Sequence, residues 1–223
     1  MKLDIIEIMI KLPFHKKNIK KPPKFLTLDI SYNSVKCLVF YKENGSLKII
    51  GSGKSQLESG EVRNGVIVDL DAVTIAAQES IDLATNNIEE KIENVIIGVS
   101  SDICVENVTT AKITRGSQDS ITQPEIEKFN QKIIDSAKMQ VQKYFSENKG
   151  DPDTQLQMIT SSIVYTKLDG EVMENLLEQE GKVVEIALYN AFCPVFHIET
   201  IQKLGKKLKL NILAISPVNF SVL

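Results

Sequence analysis

The run Thr27-Leu28-Asp29-Ile30-Ser31-Tyr32-Asn33-Ser34-Val35-Lys36-Cys37-Leu38-Val39-Phe40 decides how the chain is read. Two short apolar stretches flank a turn of small and polar residues, so the run spells strand, tight turn, strand. The first strand delivers Asp29 to the mouth of the turn, and the second leaves with Lys36 near its start. Such a turn can aim several backbone N–H groups at one anion while a carboxylate holds a hydrated cation beside it. On residues alone this is one half of a phosphate clamp; an ordinary hairpin with a solvated Lys36 has the same spelling.

The 223 residues are 43% hydrophobic and 25% charged, the composition of a globular protein with room for one large or two small domains. A net charge of −3 argues against a nucleic-acid-binding protein. Cys37, Cys104 and Cys193 lie far apart with no metal or C-x-x-C spacing, and read as buried thiols of a reducing compartment. Neither His15 nor His197 has a second ligand candidate nearby, which argues against a zinc site or a histidine-based triad. Residues 1–24 form a tail of another character. Ile5, Ile6, Ile8, Met9, Ile10 and Leu12 surround a narrow stripe of Asp4, Glu7 and Lys11, and Lys16, Lys17, Lys20, Lys21 and Lys24 follow among prolines. This suits an amphipathic helix on an anionic membrane surface or an unstructured leader; it is too short and too charged to span a bilayer.

Asn44-Gly45 is a two-residue turn signal, and Leu47 to Gly53 supplies a third strand. A helix is expected from Leu70 to Ala84, then a buried parallel strand around Val95-Ile96-Ile97-Gly98-Val99. Strand Val105 to Thr114 leads to a helix from Thr122 to about Phe145, with Thr122 as N-cap, Glu125 completing a capping box and Pro124 in the first turn. Strands follow at Gln155 to Leu168, closed by Asp169-Gly170, and at Lys182 to Tyr189. A helix from Val195 to Leu208 ends in lysines, Leu210 to Ile215 is a buried strand, and Ser216-Pro217 can open one more helix.

The first run resembles the first phosphate loop of the actin and Hsp-type ATPase superfamily, and within it the bacterial cell-division FtsA family and the PilM family, whose pattern is close to L-D-I-G-x-x-S-x-K. Leu28, Asp29, Ile30, Ser34 and Lys36 match it, while Ser31 stands where the family has glycine. A positive φ at that position would cost serine about 1 kcal/mol. Gly65-Val66-Ile67-Val68-Asp69 and Ile96-Ile97-Gly98-Val99-Ser100 are similar to two further places in the FtsA pattern, and the resemblance covers residues 25–223.

The resemblance implies an α/β fold: an actin-like (ribonuclease H-like) half-domain, residues 25–103 plus 191–223, interrupted at 104–190 by a small α+β strand-helix-strand-strand (SHS2) insertion, the subdomain 1C of FtsA. It implies a cytoplasmic scaffold, at the inner face of the cell membrane if the tail anchors it, with divisome proteins and further copies as partners through 1C. FtsZ would join only if a C-terminal half were supplied. Asp29, Ser31, Tyr32, Asn33, Ser34 and Lys36 are the expected ligands of ATP, with Asp29 acting on Mg²⁺ through water and Lys36 offering charge. The family's second phosphate loop and adenosine segments lie beyond the end of this sequence, so the ATP site is expected to be incomplete and the chain no enzyme. A PilM-like scaffold of type IV pilus assembly is the alternative, and an actin-fold sugar kinase or DnaK-type chaperone ranks below both.

Overall fold

Alternation of buried and exposed residues over positions 24–43 builds the start of a meander, and its turns obey the residues that make them. The computed structural model describes residues 22–148 and 154–218. The amphipathic run and most of the lysine cluster read in residues 1–24 fall outside those residues; Lys24 itself opens the first strand. In chain order the elements are β1 (Lys24–Ile30), β2 (Ser34–Glu43), β3 (Ser46–Gln56), β4 (Val62–Arg63), β5 (Val66–Ile67), α1 (Leu70–Thr85), β6 (Asn94–Val99), β7 (Val105–Thr114), α2 (Gln123–Asn148), β8 (Leu156–Leu168), β9 (Glu171–Met173), β10 (Val183–Pro194), α3 (Val195–Lys207) and β11 (Asn211–Pro217). They divide into one unit that runs to Cys104 and resumes at Cys193, and a second of Val105–Phe192.

The first unit is a mixed five-stranded sheet in the order β11-β6-β1-β2-β3. β1, β2 and β3 are antiparallel neighbours, and Asn44 and Gly45, both at positive φ, make the tight turn between β2 and β3. β6 and β11 return parallel to β1. Leu26, Leu28, Val35, Cys37, Val39, Val95 and Ile97 are fully buried in this sheet. α1 begins at Asp69, whose carboxylate accepts hydrogen bonds from the backbone N–H groups of Asp71 and Ala72, a cap that places the helix start. The helix lies so close to β3 that a Cβ on Gly51 or Gly53 would stand 2.0 Å from the carbonyl oxygens of Ala84 and Ser80. Those two glycines therefore set the approach of helix to strand.

The second unit is a four-stranded sheet in the order β7-β10-β8-β9, and α2 packs on it through Phe129, Ile133, Ile134, Ala137, Val141 and Phe145. Asp169 and Gly170, both at positive φ, close the β8–β9 hairpin. The Glu125 carboxylate accepts from the Thr122 N–H at 3.1 Å, the reciprocal half of the expected capping box. The Thr122 hydroxyl also turns to Glu125, at 3.3 Å.

Three expectations are corrected. β10 runs past Tyr189 to Pro194, because the buried Asn190 that marks an apparent end is satisfied inside the sheet by Ser161 and by the carbonyl of Leu188. β11 continues through Ser216 and Pro217 where a helix start was read; Pro217 sits on an edge strand, where a missing N–H is tolerated. Cys104 and Cys193 are joined in a disulfide, so only Cys37 is a free buried thiol, pushed up to about 12 by its burial. The two bonded residues are 89 apart in sequence, beyond the reach of any spacing rule, and they stand one step past the Val105↔Phe192 pair of the β7–β10 ladder, with Cα atoms 4.6 Å apart.

Candidate functional site

Because β1, β6 and β11 are parallel, their carboxyl ends point the same way, and the loops that leave Ile30, Val99 and Pro217 gather at one end of the five-stranded sheet. Open α/β sheets bind ligands in the crevice at such ends. An open cleft of about 490 Å³ lies there, lined by Asp29, Ile30, Ser31, Tyr32, Lys36, Val62, Asn64, Gly65, Ser100, Ser101, Asp102 and Val218.

The β1–β2 register sets Asp29 directly opposite Lys36, and the Lys36 Nζ donates to Asp29 Oδ2 at 3.4 Å. Their side chains keep 34% and 52% of their exposure, so both groups remain available to a ligand from solvent. The turn between them is held from inside. The Ser31 N–H and hydroxyl both donate to the Ser34 carbonyl at 3.0 Å, and the Asn33 carbonyl accepts from the Leu57 N–H. Ser31 does not adopt positive φ; among the described non-glycine residues that conformation belongs to Asn44, Asn64, Asp169, Glu178 and Lys209. Serine in place of glycine thus carries no backbone strain here, but its N–H is spent within the turn.

Of the six residues expected to bind a nucleotide, Asp29, Ser31, Tyr32 and Lys36 line the cleft. Asn33 and Ser34 stand outside the lining: Ser34 is 1% exposed and its hydroxyl donates to Asn33 Oδ1, so these two side chains build the turn. The structure adds residues from two other loops. Asn64 and Gly65, both at positive φ, turn β4 into β5, and a Cβ on Gly65 would meet Ser100 at 2.9 Å. Ser100 in turn donates to Asp102 Oδ2 at 3.1 Å and accepts from the Asp102 N–H. The Ser101 hydroxyl is shielded from solvent and has no hydrogen-bond partner among the described residues. Asn64-Gly65 was legible as a turn signal, and Ser100-Ser101-Asp102 follows directly on a buried parallel strand, the position at which α/β sheets carry ligand contacts.

Two carboxylates, one ammonium and three serine hydroxyls around an open cleft suit a phosphate ester with a hydrated divalent cation. Asp29 and Asp102 are oxygen donors of the type magnesium keeps through water, and Lys36 can transfer from Asp29 to a phosphate oxygen. The residues present therefore fit that group. Bound there, a metal–phosphate pair would supply charge for orientation, and the chain's part would be to hold it against the sheet ends.

No family model matches the chain. Over 79 residues, 35% of this chain, it is 37% identical to the cell division protein FtsA of Streptococcus pneumoniae serotype 2 (strain D39 / NCTC 7466), and the match spans 17% of that protein. Among solved structures, a chain of the PilM-PilN type IV pilus biogenesis complex superposes on 88% of this chain with a TM-score of 0.57 at 13% identity, and 48% of that chain is covered. The chain thus spans about half the length of the solved relative and a smaller part of the curated one. At the level of fold, these likenesses support the actin-like architecture expected from the sequence.

Proposed function

We propose that this chain is an FtsA-like scaffold for bacterial cell-division assembly that works through protein–protein contacts and carries one wall of an ATP site. The observation that carries this reading is the stretch of 37% identity to an FtsA, taken together with an Asp–Lys cleft at the sheet ends where the family's first phosphate loop belongs. Asp29 is assigned to Mg²⁺ through water, Ser31 and Tyr32 to the phosphate side, and Lys36 to charge neutralisation. In-line phosphoryl transfer needs nucleotide, metal and water held from two sides. The described cleft offers groups from one side, and we assign the chain no hydrolase activity of its own.

In this reading the Val105–Phe192 unit is the strand-helix-strand-strand insertion, and its surface meets other division proteins and further copies of the chain. Among the described residues no helix is long and apolar enough to cross a membrane. A PilM-like role in type IV pilus assembly is the second reading, favoured by the breadth of the structural likeness, which extends over 88% of the chain. A fluorescent fusion in dividing cells separates the two. Enrichment at the division plane is expected; foci confined to pilus-bearing sites, with no signal at the septum, would transfer the chain to the second reading.

A further inference from the structure

β3 is the last strand of its sheet, so one side of its backbone has no strand partner among the described residues. It is an eleven-residue edge, Ser46–Gln56, exposed except at Gly51, Gly53 and Ser55. Long open edges normally recruit a strand unless something covers them.

The surroundings of this edge are specific. Gly51 and Gly53 bring α1 down over β3, and the flank of the helix overhangs the edge. Ile75, Glu79 and Leu83 follow one another at four-residue steps and form one exposed stripe, with Ile75 at 62% and Leu83 at 53%. Leu83 stands over Gly53, its Cβ 2.9 Å from where a glycine Cβ would be, and Glu79 accepts the Ser55 hydroxyl at 2.6 Å. A strand edge roofed by a partly apolar helix flank is the geometry in which peptide-binding domains add an extended ligand to a sheet.

Charge says which ligand. β3 carries Lys48 and Lys54 and no carboxylate. Lys54 is in register with Lys36, on the sheet face opposite buried Val35 and Cys37, away from α1. A second copy is a poor occupant, because its own β3 would bring Lys48 and Lys54 to this edge and no carboxylate to meet Lys54. We propose that the β3 edge is a docking site for an extended segment of a partner protein in which apolar and acidic residues alternate. The apolar side chains lie under Ile75 and Leu83, the acidic ones meet Lys54, and the backbone extends the sheet by one strand.

The test uses the full chain and a fluorescein-labelled peptide alternating Glu and Val, compared with a Lys/Val peptide of equal length and with a Glu/Val peptide N-methylated on alternate amides. The Glu/Val peptide should bind about tenfold more tightly than the Lys/Val peptide, and Lys54→Glu should invert that order. Leu83→Asn should weaken binding about fivefold, and N-methylation of the amides that face the edge should abolish it. Amide exchange at residues 51–56 should slow when the Glu/Val peptide is bound. Equal affinity for both charge patterns, indifference to N-methylation, or dimers that form through this edge in sedimentation would overturn the proposal.

Discussion

The two units treat polar side chains near their strand ends in different ways. In the Val105–Phe192 unit most of those groups are consumed internally, with Asn107 Oδ1 and Asn130 Oδ1 the shielded exceptions among the described residues. Arg115, with a side chain only 3% exposed, donates to both carboxylate oxygens of Glu125 and to the carbonyls of Asp119 and Gly181. The Arg115 hydrogen bonds, and then the Thr122 N–H, hold the Glu125 carboxyl below its usual range. The N–H groups of Val183 and Lys182 do the same for Asp169. Tyr165 and Tyr189 each donate to a glutamate at 2.8 Å. In the five-stranded unit, Asp29 and Lys36 touch only at 3.4 Å and stay open to solvent, beside a shielded serine with no partner among the described residues. The contrast teaches where ligand chemistry belongs. Polar groups already satisfied fix a shape, and groups left short of partners at a cleft are those a ligand can satisfy.

The largest effect should come from breaking the internally satisfied set. Arg115→Met leaves two carbonyls and a partly buried carboxylate without their donor, and should cost about 3 kcal/mol in urea unfolding. Cleft chemistry, in contrast, should be unchanged in whatever fraction stays folded. A loss below about 1 kcal/mol would mean that Arg115 does not hold these elements together.

The five-stranded unit has its own buried polar group, and it sharpens the comparison by being unsatisfied. His197, in the first turn of α3, is 2% exposed, and neither ring nitrogen has a hydrogen-bond partner among the described residues. Burial pushes its pKa down to about 4. Between the unfolded value near 6.5 and about 4, the unfolded chain binds the proton and the folded chain does not. Stability is therefore intact above pH 6.5, falls as pH drops through that window and levels off below it. At pH 5 the loss assigned to this residue should be about 2 kcal/mol. His197→Phe should flatten that part of the pH–stability curve; the same slope in the variant would remove His197 as its source.

How much of this was legible in the sequence follows from the range of each interaction. Asn44-Gly45, Asp169-Gly170 and the Asp69 cap are local chemistry, and they sit where composition put them. The β1–β2 hairpin was legible for the same reason, and with it the Asp29–Lys36 pair. What escaped was long-range. Arg115 looks like an ordinary strand-end cation until the fold brings Gly181, 66 positions away, against it. Cys104 and Cys193 gain meaning only when the β7–β10 ladder sets them side by side. Half of the cleft comes from loops whose turn signals are visible in the sequence but whose convergence on one site appears only when three parallel strands end together. Asn33 and Ser34, read as ligands from their place in a motif, are turn builders because one hydroxyl turns inward and is buried.

The central claim is that the phosphate-binding wall lies on the five-stranded unit and not on its neighbour. It is tested most directly by amide hydrogen exchange of the full chain with and without a Mg²⁺–ATP analogue, repeated on Asp29→Ala. The account predicts slowed exchange at residues 31–36, 64–65 and 100–102, none within 105–192, loss of the effect in the variant, and no phosphate release from ATP. Protection within 105–192, or protection that survives Asp29→Ala, would contradict it.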